Sequence, residues 1–149
     1  MLDTTAQKSN FYYSIKKYII DNLFTIEGIP IIFDRFLPPA NTVSKWIFVI
    51  QNTLDRDTVS EYKFDIYCVT RQDFEGDLLT QLVDKVVGYF LYDSTKLDTL
   101  IRVPFYSATT GNAVGSMVIT DVKESDPADA PDQSKFLILS ITAKMASKI

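Results

Sequence analysis

Between residues 58 and 70 the chain alternates. Tyr62, Phe64, Ile66 and Cys68 are separated by Lys63, Asp65 and Tyr67, with Glu61 in front. Apolar groups at every second position share one face of a strand, so this run predicts a strand with one side packed and the other toward water. After Arg71-Gln72 the period changes. Leu78, Leu79, Leu82, Val83, Val86, Val87 and Phe90 form a broad stripe at helical spacing, which predicts a helix over 74–91. Asp73 is its expected N-cap, and Glu75 and Asp77 suit the positive end of the helix dipole.

The flanking segments extend the pattern. Phe11, Ile15, Tyr18, Ile19 and Leu23 predict an amphipathic helix over 9–24, capped by Ser9 or Asn10 and stopped by Gly28 and Pro30. Strands are predicted over 29–36 and 45–52, broken by the stiff Pro38-Pro39-Ala40-Asn41 loop, with a turn over 53–57. The second of these is apolar on both faces, so it belongs where both sides are covered. A strand over 99–107 contains Pro104, which places it at an edge or a bulge. Thr109-Thr110-Gly111-Asn112 predicts a hairpin turn into a strand over 113–123, with Val114, Val118 and Val122 on one face and Met117 and Ile119 on the other. An acidic loop over 124–134 is expected to be mobile, and a last strand spans 135–145. The order α-β-β-β-α-β-β-β predicts an α+β domain with a mostly antiparallel sheet and two helices.

At 149 residues the chain is the size of one domain, expected to span 1–149 with a flexible stretch over 1–8. The absence of histidine excludes a Ser-His-Asp triad and every His-ligated metal site, and one cysteine excludes an internal disulfide. Lys and Arg number 15 against 19 Asp and Glu, so the basic excess usual in nucleic-acid binders is missing. The polar N-terminus carries no signal segment, and no apolar run approaches the roughly 18–20 residues of a membrane helix. A soluble protein made in a reducing compartment is expected, with no membrane contact.

No group of residues has the spacing of a catalytic or cofactor site. Glu124, Asp126, Asp129 and Asp132 lack the alternation, central glycine and closing Glu of a calcium loop. Asp55 and Asp57 flank Arg56 on a wet turn, where both carboxylates stay ionised. Cys68 shares the apolar face of its strand and reads as a small buried hydrophobe. The glycines form no phosphate-binding fingerprint, and Gly115-Ser116 is no nucleophile elbow. The expectation is a non-enzyme without cofactor or metal. Most of the 10 Phe and 8 Tyr belong to the core, and the rest are candidates for protein contacts.

Three features together resemble the phage tail terminator (tail-completion) family. They are the amphipathic helix Phe11 to Phe24 entering a strand through Gly28-Ile29-Pro30, the unit Tyr62-Lys63-Phe64-Asp65-Ile66-Tyr67-Cys68-Val69-Thr70-Arg71 followed directly by the helix Phe74 to Phe90, and a late strand pair split by a polar loop. The resemblance spans about residues 9–145 and rests on patterns of elements. It implies a homo-oligomeric ring, usually a hexamer, that caps the tail tube protein and stops its growth. The same ring would offer a surface to the neck or head-completion protein and let DNA pass without specific binding. It implies a place in the virion, at the head-proximal end of the tail, after assembly in the host cytoplasm.

The residues favour assembly on their own account. Segments 45–52 and 135–145 are apolar on two faces, more than one core of this size requires, and identical neighbours would cover the excess. The expected contact residues are Asp55, Arg56 and Asp57 on the hairpin tip, Pro38, Pro39 and Asn41 in the stiff loop, and Arg35, Arg71 and Arg102 at strand ends or faces. Each arginine suits bidentate pairing with a neighbour's acid, or else an intrachain ion pair worth about 0–1 kcal/mol. Three other classes stay open: a different neck or tail-completion adaptor, a small non-catalytic ligand-binding module, and an enzyme working with carboxylates alone.

Overall fold

The computed structural model describes residues 7–35, 39, 42–55, 59–91 and 101–146. In chain order the elements are α1 (Lys8–Ile19), prolonged by a π-helical turn (Ile20–Phe24), then β1 (Ile31–Phe33), β2 (Lys45–Asp55), β3 (Val59–Thr70) and α2 (Asp77–Val87). β4 (Arg102–Tyr106), β5 (Ala113–Glu124), β6 (Ala128–Asp129) and β7 (Lys135–Ala146) follow. The strands form one sheet in the order β1-β2-β3-β7-β5-β4, with β6 paired to β7 beside β5. Only β1–β2 is parallel; the other pairs are antiparallel. This is the expected α+β class and element order, with β6 added.

The alternating run became the middle of the sheet. β3 pairs with β7 without a register break, from Val59↔Ala146 to Thr70↔Lys135. Tyr62, Phe64, Ile66 and Cys68 are all fully buried on the side that both helices cover. α1 contributes Phe11, Ile15 and Ile19 to that core, the π-helical turn adds Leu23, and α2 contributes Leu79, Leu82, Val83 and Val86. Each fully buried side chain of this size is worth about 1.5–3 kcal/mol. The Phe11 ring stacks on Tyr62 at 5.3 Å and meets Phe105 edge-on at 4.8 Å, which ties α1 to the middle of the sheet and to its β4 edge.

Several local expectations change. Neither Ser9 nor Asn10 caps α1, whose N-cap is Gln7. Asn10 instead accepts the Ala108 amide at 2.9 Å, and Ser14 accepts the Tyr106 amide at 2.8 Å. β4 is the edge strand that Pro104 predicts, and these side chains supply partners for backbone groups that an edge leaves unpaired. The strand expected over 29–36 spans only Ile31–Phe33, because Asp34 has φ 57 and turns the chain. The turn expected over 53–57 is strand as far as Asp55, with a register shift between Gln51 and Leu54. α2 begins at Asp77, after Gly76 at φ 81, so Phe74 lies in a turn outside the helix.

In β5 a bulge at Thr120 moves Val122 to the core side with Met117 and Ile119, away from Val118. The simple alternation fails there because the bulge inserts one unpaired residue. Where a loop is expected over 124–134, Ala128 and Asp129 pair with Phe136 and Lys135; the Ser125 amide donates to the Ile138 carbonyl, and the Ser125 hydroxyl accepts the Ile138 amide. Of the stretch expected to be flexible, residues 1–6 lie outside the described residues, and Lys8 already belongs to α1.

Candidate functional site

Both helices pack on one face of the sheet, and among the described residues no helix lies on the other. The register says what that second face carries. Trp46, Val69 and Phe136 stand side by side across β2, β3 and β7, and Phe48, Tyr67 and Ile138 form the next row. Beyond them the rows turn polar: Asp65, Ser140 and Lys123, then Lys63, Thr142 and Asp121, then Glu61, Lys144, Val118 and Arg102. The face without a described helix is therefore apolar at one end and charged at the other.

At the apolar end Trp46, Phe48 and Val69 form a cluster separate from the main core, with Ile32, Val43, Tyr67 and Phe136 packed around it. Trp46 meets Phe48 edge-on at 6.2 Å, and Tyr67 stacks with Phe136 at 6.5 Å. The hairpin residues Ala130, Pro131 and Asp132 rise beside this cluster and enclose a groove of about 440 Å³. Arg71 follows β3 and packs on Trp46, one of the residues that line the groove. Its guanidinium lies 4.5 Å from the centroid of the Trp46 ring and donates to the carbonyls of Val43 and Pro39 at 3.3 and 3.1 Å. The Trp46 indole nitrogen is buried without an acceptor among the described residues. The Asp132 carboxyl is held below the usual carboxylate range by the Ser134 hydroxyl and amide, with Arg71 adding to the effect.

The charged end is tied by exposed pairs. Lys144 meets Glu61 at 3.2 Å, Lys123 meets Asp121 at 3.6 Å, and Asn52 donates to Asp65 at 3.0 Å. Such contacts orient side chains and contribute about 0–1 kcal/mol each.

Of the residues singled out from the sequence, the structure joins Pro39 to Arg71, whose guanidinium lies over Trp46. Asp55 and Arg102 fall on one row at the opposite end of the sheet, linked through Glu61, Lys144 and Val118. Arg35 is exposed just past β1. Pro38, Asn41, Arg56 and Asp57 lie outside the described residues. Sequence reasoning missed Trp46, Phe48, Val69 and Phe136 as a surface, although the two-sided apolar pattern of their strands was the signal. Cys68 points into the core, where burial pushes its thiol up to about 12. Among the described residues no group of three Asp, Glu or Cys could hold a metal ion, and no helix is long and apolar enough to cross a membrane. The groove is lined mostly by apolar side chains, with the Asp132 carboxyl among them.

No family model and no curated protein sequence matches the chain. A solved structure of a protein that bears no functional name is similar to it, with a TM-score of 0.62 and 12% identity, covering 93% of this chain and 95% of that one. At that identity the likeness shows the fold alone: an α+β domain whose helices cover one face of a mostly antiparallel sheet.

Proposed function

We propose that this chain is the structural subunit of a ring, of the kind that terminates a phage tail tube. The observation that carries the reading is the helix-free sheet face with its apolar end. Trp46, Phe48 and Val69 are already buried within the chain, and half-buried Ile32, Tyr67, Phe136 and Ile138 continue the apolar patch around them. A continuous patch of that kind suits a partner surface, and in a closed ring the partner is another copy. The order of elements, with the alternating strand feeding α2, is the second support.

On this reading the ring, a hexamer in the family it resembles, sits on the last layer of tube protein and ends polymerisation. It presents its other rim to the neck of the filled capsid. DNA passes through the opening without specific binding, and the net charge of -4 suits a channel that must not hold it. The protein acts by shape, in the virion, and carries out no reaction. The same features fit a neighbouring neck or tail-completion adaptor.

Electron microscopy of the purified protein tests the reading together with a tube-growth assay. Annular particles that stop elongation of tube protein are the expected result. Particles without a central opening and no effect on tube length would overturn it. The groove of about 440 Å³ favours one other reading, a module that binds a small apolar ligand. A monomer whose thermal midpoint rises with aromatic or aliphatic compounds would support that alternative.

A further inference from the structure

Resting on the second reading above, that the groove takes a small molecule, we infer that this ligand is an organic cation: an ammonium group on an apolar body, with its charge toward Asp132 and its body against the rings of Tyr67 and Phe136. Among the residues that line the groove, Asp132 is the one charged side chain. It is exposed and has no ion-pair partner among the described residues. Its Oδ1 takes the Ser134 hydroxyl at 2.6 Å and the Ser134 amide at 3.1 Å. Those two bonds hold the carboxylate in place, favour its ionised form and use one oxygen of the pair.

The remaining walls suit the rest of such a ligand. Tyr67 and Phe136 are half-buried and stack at 6.5 Å, so both rings are held in place with part of their surface open. An aromatic face attracts a weakly hydrated cation placed within about 6 Å of its centroid. Trp46 shows that preference within the chain, since its indole carries the Arg71 guanidinium at 4.5 Å. Arg71 itself donates to the carbonyls of Val43 and Pro39 and is not among the lining residues.

The same walls exclude other classes. A hard inorganic cation asks for a shell of oxygen ligands, and this groove offers a single carboxylate among apolar side chains. An anion would meet the charge of Asp132, and a purely apolar compound would leave that charge unanswered. The volume of about 440 Å³ leaves room for an apolar body behind the ammonium.

Trp46 is the single tryptophan of the chain, so one indole N–H resonance reports on the groove. Titrations with phenethylammonium, phenethyl alcohol and phenylacetate set a cation, a neutral group and an anion on similar bodies. Phenethylammonium is expected to shift the resonance to saturation, with an affinity about tenfold above that of the alcohol. Phenylacetate should bind most weakly of the three. Asp132→Asn keeps an acceptor for Ser134 and removes the charge; it should weaken phenethylammonium about fivefold and leave the alcohol unchanged. Tyr67→Leu and Phe136→Leu keep an apolar wall without a ring face, and each should weaken the ammonium more than the alcohol. Circular dichroism melts confirm that the variants fold. Equal affinity for ammonium and alcohol, or an ammonium affinity indifferent to Asp132→Asn, overturns the inference and leaves the small-molecule reading standing. No shift with any of the three compounds overturns both.

Discussion

The guanidinium of Arg71 lies over the indole of Trp46, 4.5 Å from its centroid, while its amino groups reach the carbonyls of Val43 and Pro39. One side chain thus joins the entry to β2 with the end of β3. Replacing it with lysine keeps the charge and loses the planar stack and the fork of donors. Arg71→Lys should cost about 0.5–2 kcal/mol, read as a lower urea midpoint with an unchanged m-value. An unshifted midpoint would show that the stack contributes nothing.

Asp73 anchors α2 from four residues before its first turn. Burial pushes its pKa up, but the amides of Leu79 and Leu78, the Thr70 hydroxyl and the Gly76 amide outweigh it, and the net shift is downward. A carboxyl with a depressed folded pKa stabilises above its unfolded value near about 3.9 and loses that contribution as the pH falls through the folded one. Asp73→Ala should lower stability by about 1 kcal/mol at neutral pH. The gap between variant and wild type should close below about pH 4, which thermal melts at pH 7 and pH 3 will read.

Ser14 is fully buried, and its hydroxyl takes the Tyr106 amide at 2.8 Å. Ser14→Ala leaves that amide without its acceptor at the edge of the sheet. The expected loss is about 1–3 kcal/mol, together with faster hydrogen exchange at Tyr106. Unaltered exchange at that position would refute the role assigned to the hydroxyl.

Cys68 faces the core, and desolvation raises its thiol pKa to about 12. A thiol raised in the folded state favours folding below its unfolded pKa of about 8.5, and the contribution disappears as the pH climbs between the two values. In the native protein at pH 8 a thiol reagent should leave Cys68 unmodified, and unfolding in urea should release one reactive group. Stoichiometric labelling of the folded chain would contradict its placement.

Legibility in the sequence followed the regularity of each segment. The 62–68 alternation and the 78–87 stripe announced β3 and α2, because each buries one clean face against a single neighbour. What escaped notice depended on backbone geometry. Asp34 at φ 57 shortens β1, Gly76 at φ 81 leaves Phe74 outside α2, and an inserted residue at Thr120 reverses the expected side of Val122. Ser9 and Asn10 look like helix caps, yet Asn10 serves the turn after β4, a partner 98 positions away. The candidate surface was half visible. Two-sided apolar strands were plain in the residues, but the joining of Trp46, Val69 and Phe136 required the pairing of three strands.

The irregularities in β2, between Gln51 and Leu54, and in β5, between Ile119 and Asp121, occur at one level, on either side of the unbroken β3–β7 pair. Bulges bend a strand and tighten its coil, so two at the same height crease the sheet like a folded card. That level is the Lys63–Thr142 pair, so the bend falls among the charged rows and leaves the aromatic rows on one side of it.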